Sequence, residues 1–230
     1  MIYLDIILKY VNNYGNLFLV GLRNTLILAF FAVILGVLFG TLLALMKLSK
    51  KKFLNIPANI YIEIIRGTPM FLQLMIIFYG LPIFGIRFPN LWFTDYFPEF
   101  MSALVAMSMN SSAYVAEIIR AGINSIDKGQ MEAARSIGMT ESMAMKLIIL
   151  PQAYKNILPA LCNEFVTIIK ETAIVSVVGF PDLMYSAQQV RIDTFRVFEP
   201  MLAAGGVYFV LTFTTSRLIA KLEKRWAAGD

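Results

Sequence analysis

Hydrophobic residues in this chain run in long blocks, and most polar positions fall between the blocks rather than alternating with them. A helix needs roughly 20 apolar residues to cross about 30 Å of hydrocarbon, and five segments approach that length. Asn24 to Met46 carries no charge. Leu54 to about Phe84 is interrupted by Glu63, Arg66 and Pro69. Phe100 to about Ile119 has Glu117 near one end, and Tyr154 to Phe180 contains Glu164, Lys170 and Glu171. Phe198 to about Ile219 is the fifth. This pattern predicts an all-α integral membrane protein with five transmembrane helices. No repeat, low-complexity tract or linker divides residues 1–230, so a single transmembrane domain is expected.

Composition supports the pattern: of 230 residues, 58% are hydrophobic and 15% charged, and the mean hydropathy is +0.69, outside the range of a soluble domain. The net charge of +5 lacks the clustered, aromatic-interleaved arrangement of a nucleic-acid surface, so no nucleic-acid partner is expected. With no histidine and one cysteine, Cys162, a single copy can build neither a disulfide nor a Cys/His zinc site, and histidine-assisted nucleophilic catalysis is excluded. Cys162 reads as a small apolar filler. No basic n-region followed by an A-x-A site opens the chain, so no cleaved leader is expected and the first span serves as the targeting signal.

Lysine and arginine distinguish the two sides. Lys47, Lys50, Lys51, Lys52, Arg120, Lys128, Arg135, Lys146, Lys155, Arg217, Lys221, Lys224 and Arg225 fall on one side; only Lys9, Arg23, Arg87, Arg191 and Arg196 fall on the other. The positive-inside bias puts the first set in the cytoplasm, the amino terminus outside and the carboxyl terminus inside. The expected location is the cytoplasmic membrane of a bacterial-type cell, crossed several times. Outside lie the connections Phe84 to Phe100 and Phe180 to Pro200, the first carrying Trp92, Phe93, Tyr96 and Phe97 at expected headgroup depth.

One stretch breaks the apolar monotony. EAARSIGMTESMAMKLIILPQA, from Glu132 to Ala153, mixes charged and small residues in the cytoplasmic connection between the third and fourth spans. Asp127 followed by Gln130 resembles a capping box, predicting a helix to Ile137 that ends at Gly138 in a left-handed conformation. Thr140 then caps a second helix into Leu150, closed by Pro151. Two short cytoplasmic helices within about 127–150, joined at a bend, suit either the lipid surface or a protein partner.

Glu132, Ala133, Ala134, Gly138, Ile148, Leu150 and Pro151 fill all seven positions of a pattern, E-A-A-x3-G-x9-I-x-L-P. The chain here resembles the EAA-motif permease subunits of binding-protein-dependent ABC importers. IRGTP at Ile65 to Pro69, SAYVAEIIRAGINSIDKGQ at Ser112 to Gln130 and NEFVTIIKETAIVSVVG at Asn163 to Gly179 are similar to the subfamily that imports polar amino acids. The resemblance implies a type I importer permease fold, with the bent segment as coupling helices seated in an ATP-hydrolysing subunit through Glu132, Ala133, Ala134, Gly138 and Met139. It implies two such ATPase subunits, which bind the ATP and Mg, a second permease subunit, identical or paralogous, and an extracytoplasmic solute-binding protein. No G-x-x-x-x-G-K-[ST] occurs in the chain, so any nucleotide chemistry belongs to a partner, and no catalytic residue, cofactor or metal is expected here. The competing reading is an ion-coupled secondary carrier or channel, which has no use for the EAA stretch.

Ionisable groups within spans are costly and usually face a partner or a watery path. Asn110, Tyr114 and Glu117 share one helix face; Asn163, Thr167 and Lys170 form a stripe beside Glu164 and Glu171; Glu63, Arg66 and Gln73 lie on the second span. Each group is open to two readings, an internal pair between helices or the lining of a pathway. Gly67 and Pro69 predict a break that exposes backbone to a cavity. Candidate donors for a zwitterion's carboxylate are Arg66, Lys170 and Asn110; candidate acceptors for its ammonium are Glu117 and Glu164. The full candidate set for an amino acid substrate is Arg66, Gln73, Asn110, Tyr114, Glu117, Glu164, Lys170 and Glu171. Four intramembrane glutamates, Glu63, Glu117, Glu164 and Glu171, exceed two cations, Arg66 and Lys170, which favours a basic amino acid.

Overall fold

The computed structural model describes residues 2–90 and 95–227, the side chains of residues 13–90, 95–221 and 223 among them. The interfacial positions expected for Trp92 and Phe93 lie outside the described residues; Tyr96 is exposed and Phe97 half-buried. The described chain is helical, without a strand. In order come α1 (Ile2–Leu48), α2 (Lys52–Arg66), α3 (Met70–Met75), a π segment (Ile76–Gly80), α4 (Leu81–Ile83), α5 (Phe97–Asn124), α6 (Lys128–Ser136) and α7 (Glu141–Ala144). A second π segment (Met145–Ile149) leads to α8 (Leu150–Glu171), a 3-10 segment (Thr172–Val178), α9 (Leu183–Thr194) and α10 (Phe198–Ala227).

Each predicted span falls on helix. Asn13–Leu48, with mean hydropathy 2.8, and Phe198–Lys221, with 1.3, are long and apolar enough to cross a bilayer, and α2 with α3–α4 forms a third such span if the bent pair counts as one. Helices α5, with 28 residues, and α8, with 22, occupy the third and fourth predicted spans. Phe30, Phe31, Ile34, Leu38, Phe39, Leu42 and Leu45 of α1 are exposed large apolar groups. On a membrane helix these form a face for lipid chains, because the backbone is already satisfied within the helix.

The predicted break in the second span is present. Helix α2 stops at Arg66, Gly67 N donates to Glu63 O at 2.8 Å, and α3 begins at Met70, one residue after Pro69. A proline at the start of a helix costs no intrahelical bond. Pro151 behaves differently from expectation: the second cytoplasmic helix does not close there but widens through the π segment and continues into α8. Leu150 N bonds back to Met145 O across that wider turn, and the displaced register carries the chain past the residue that lacks an N–H.

The chain packs as two units: Met1–Ala32, Met70–Met107 and Thr167–Thr214 form one; Val33–Pro69, Ser108–Val166 and Thr215–Asp230 form the other. In the second unit small residues set the spacing of α1 on α5. A Cβ on Gly36 would lie 2.6 Å from Ser111 Oγ, and one on Gly40 would lie 2.6 Å from Val115 Cβ. Glycines at such crossings let backbones approach where lipid supplies no hydrophobic drive. Ala44, Ile62, Ile65, Ala113 and Ala116 fill the core beside them, with Tyr61 packed against it. The Tyr61 hydroxyl donates to Met109 O at 3.0 Å and lies 3.1 Å from Ser112 Oγ.

In the first unit the amino-terminal part of α1 is fastened to α9 by polar contacts. Leu183 N donates to Thr25 Oγ1 at 3.1 Å, Asn24 Nδ2 to Pro181 O at 2.9 Å, and Ser186 Oγ to Leu17 O at 3.0 Å. Leu183, Ala187 and Ala204 make the adjacent core with Phe18, Leu22, Met201 and Tyr208. Asp182, fully buried, caps α9 by accepting from Tyr185 N at 2.8 Å and Met184 N at 3.2 Å, and accepts from Tyr208 Oη at 3.1 Å. Burial pushes its carboxyl up to about 6, against these bonds, which pull it down.

An acid whose native pKa is raised binds a proton in the fold that the unfolded chain has already lost, so its contribution falls as pH rises from about 3.8 towards 6. Asp182→Asn removes that titration. The Tm difference between variant and parent is expected to shift in the variant's favour across this window, by up to about 3 kcal/mol of stability; a difference curve flat between pH 4 and 6 would contradict the assignment.

Candidate functional site

The bent segment follows the sequence prediction in its caps and turn through Thr140, except that Asp127 caps Gly129 N and, among the described residues, does not form the reciprocal box with Gln130. Asp127 is the N-cap of α6, its carboxylate accepting from Gly129 N at 2.6 Å. After Ile137 the chain turns at Gly138, φ +89°, a left-handed conformation that glycine adopts without the Cβ penalty. Gly138 N donates to Arg135 O and Met139 N to Ala134 O, both at 3.1 Å, the paired bonds that close a helix end. Arg135 Nη1 adds a bond to Met139 O at 2.8 Å, and Thr140 Oγ1, capping α7, accepts from Met143 N at 3.2 Å.

Around this bend Ala134 is buried, with 2% of its surface exposed, whereas Glu132, Ala133 and Gly138 are exposed and Met139 is half-buried. Ile137, Met143 and Leu147 are exposed at 78%, 48% and 65%. Lys50, in the connection between α1 and α2, reaches the same segment and bonds both carboxylate oxygens of Glu141 at 2.9 and 2.8 Å. That ammonium holds the exposed Glu141 carboxyl below the usual carboxylate range.

The candidate substrate residues divide between the two units. Arg66, Asn110, Tyr114, Glu117 and Glu164 belong to one; Gln73, Lys170 and Glu171 belong to the other. Within the former, the Arg66 guanidinium lies 5.5 Å from the Tyr114 ring centroid, a cation–π arrangement. Among the described residues no ion pair joins Arg66 to Glu63, so the pairing considered for them is not formed. Ser111, fully buried, donates its hydroxyl to Glu164 Oε1 at 3.0 Å, bringing α5 to α8. Asn110 is buried at 4%. In the latter unit Gln73 is buried, Lys170 exposed and Glu171 half-buried.

Glu117 is held as an ion-pair centre. Lys47 Nζ of α1 lies 3.0 Å from its Oε2, and Arg120, one turn along α5, bonds its Oε1 through both Nε and Nη2. Of the two readings open for this residue, the internal pair is the one with partners in the structure, and it changes the charge count made from sequence. Arg120 at i+3 was visible in the sequence; Lys47, seventy positions away, was not, nor was the bond from Ser111 to Glu164 across two helices. The buried Asp182, equally unforeseen, carried no signal beyond an aspartate before a helix.

Residues 36–228 match the family described as binding-protein-dependent transport system inner membrane component. The putative glutamine transport system permease protein GlnP of Rickettsia conorii is 46% identical over 206 residues, 89% of this chain and 90% of its own length. The arginine transport system permease protein ArtQ of Bacillus subtilis is 42% identical over 211 residues, covering 91% and 92%. A crystal structure of an amino acid ABC transporter with histidines superposes with a TM-score of 0.88 at 50% identity, over 95% of this chain and 97% of that one. The inward-facing MetNI methionine ABC transporter, 19% identical, shares the fold with a TM-score of 0.68 over 91% and 95% of the chains.

Replacing Glu117 by Gln leaves Lys47 and Arg120 without their anion. The expected result is a lowered Tm, equivalent to about 1 to 3 kcal/mol, with transport selectivity preserved; altered selectivity at an unchanged Tm would restore Glu117 to the substrate path.

Proposed function

The chain belongs to the family of binding-protein-dependent transport system inner membrane components, and from that premise we propose that it is the permease of an ABC importer for polar amino acids. As a permease component it is not an enzyme. The observation that carries the reading is the Gly138 bend. It presents a polar, capped elbow with exposed apolar side chains at Ile137, Met143 and Leu147, on a chain otherwise built for lipid. Such a surface suits a groove in a soluble partner.

In this reading five crossings place the amino terminus outside and the elbow in the cytoplasm, where two ATPase subunits carrying ATP and Mg receive it through Glu132, Ala133, Ala134, Gly138 and Met139. A second permease subunit, identical or paralogous, completes the pathway, and an external solute-binding protein delivers the substrate. Relatives named for glutamine and for arginine support a polar amino acid as cargo.

Arg66, with Tyr114 beneath it, and Asn110 are the proposed contacts for the substrate carboxylate, and Glu164 the acceptor for ammonium. Gln73, Lys170 and Glu171 keep a proposed pathway role within their own unit. Once Glu117 is assigned to Lys47 and Arg120, Glu63, Glu164 and Glu171 still outnumber Arg66 and Lys170, so a basic amino acid is the preferred cargo.

Two experiments test the proposal in the complete transporter in proteoliposomes. Gly138→Asp strains the left-handed turn, where a Cβ carries a penalty, and sets a charge on the elbow; ATP hydrolysis is expected to continue while uptake falls at least tenfold. Normal uptake in that variant would refute the coupling role. Glu164→Gln is expected to lower the arginine-to-glutamine uptake ratio about tenfold, the equivalent of 1.4 kcal/mol. An unchanged ratio would remove Glu164 from cargo selection.

A further inference from the structure

A second polar feature lies wholly within the first unit, and none of its lining residues belongs to the candidate substrate set. A cavity of about 210 Å³ lies where the first π segment, α4 and the loop that follows it meet the amino-terminal turns of α5. Its volume is several times the ~30 Å³ share of a water molecule. Phe78, Leu81 and Pro82 give it an apolar wall, while Arg87 and Glu99 line it with opposite charges. The hydroxyl of Ser102, also in the lining, is spent on Pro98 O at 2.7 Å.

Glu99 is the informative residue. Among the described residues its Oε2, which is out of solvent, has no hydrogen-bond partner, and no ion pair joins Glu99 to Arg87. A carboxylate oxygen withdrawn from water without a donor costs more than a lost hydrogen bond, because its desolvation is uncompensated. A cationic donor supplied from outside the chain would repair that deficit. Arg87, exposed in the loop after α4, offers a planar fork for an oxyanion at the same cavity.

We infer that this cavity is a binding site for a small zwitterion, with a primary ammonium on Glu99, an acidic oxyanion on Arg87 and its carbon skeleton against Phe78, Leu81 and Pro82. A free amino acid and the ethanolamine phosphate headgroup of a lipid share this chemistry. Neither Glu164 nor Arg66 is among its lining residues, and the inference stands whether or not those residues select cargo.

The test uses the complete transporter in nanodiscs, made of phosphatidylglycerol alone or with phosphatidylethanolamine added. Radiolabelled L-glutamine and L-arginine sites per permease are counted by equilibrium binding, and copurifying phosphatidylethanolamine is counted by mass spectrometry. Glu99→Gln and Arg87→Gln are each expected to lose one bound molecule per permease relative to the parent. Loss in the amino acid count identifies free solute; loss in the lipid count identifies the headgroup. Arg87 sits in an exposed loop, so Arg87→Gln reports on binding without threatening the fold. Equal counts of all three ligands in the parent and both variants would overturn the inference.

Discussion

Hydrocarbon offers no hydrogen bonds, and that single deficiency governs how this chain is built. Backbone donors and acceptors have to be met within the chain, hence the long helices. Polar side chains on those helices are then drawn to one another. In the second unit Tyr61 bonds a carbonyl of α5, Ser111 bonds Glu164, and Glu117 holds Lys47 and Arg120. None of these contacts follows from hydropathy, yet each serves the same demand as the helices. Glycine at positions 36 and 40 makes the contacts reachable by letting α1 and α5 approach closely.

Among the described residues the helices of the predicted spans and the cytoplasmic segment depart from α-helical geometry at a few places. Gly67 and Pro69 interrupt the second span; π segments occupy Ile76–Gly80 and Met145–Ile149, and a 3-10 segment follows Glu171. Non-helical backbone in a membrane protein is tolerated where it is covered by protein or lines water, so these segments are natural neighbours of function. The elbow at Gly138 belongs to a different environment. Its bonds are those of a soluble helix end, and Lys50 to Glu141 is an exposed pair worth little by itself. Its value is positional, since it ties the connection after α1 to the segment proposed to meet a motor.

Charge arithmetic within membranes depends on which carboxylates are already matched. In the sequence Glu117 and Glu164 were equal candidates to accept an ammonium, and the fold separates them: one sits between two cations, the other takes a hydroxyl from Ser111. Carboxylates that look alike along the chain are distinguished only by their neighbours in the fold. The same holds at the other extreme for Glu99, whose sequence position is that of an ordinary acid in the first turn of a helix and whose surroundings leave one oxygen unmatched.

By itself the sequence determined the helical class, the placing of long apolar segments on helix, the break before Pro69 and the turn at Gly138, because hydropathy, proline and positive-φ glycine act over a few residues. The seven-position EAA pattern carried the family. Tertiary structure alone decided that Lys47 neutralises Glu117, that Ser111 faces Glu164, that Asp182 is buried beneath α9 and that the helix runs on through Pro151. These depend on partners far along the chain, or on a change of helical register, and a one-dimensional pattern contains neither.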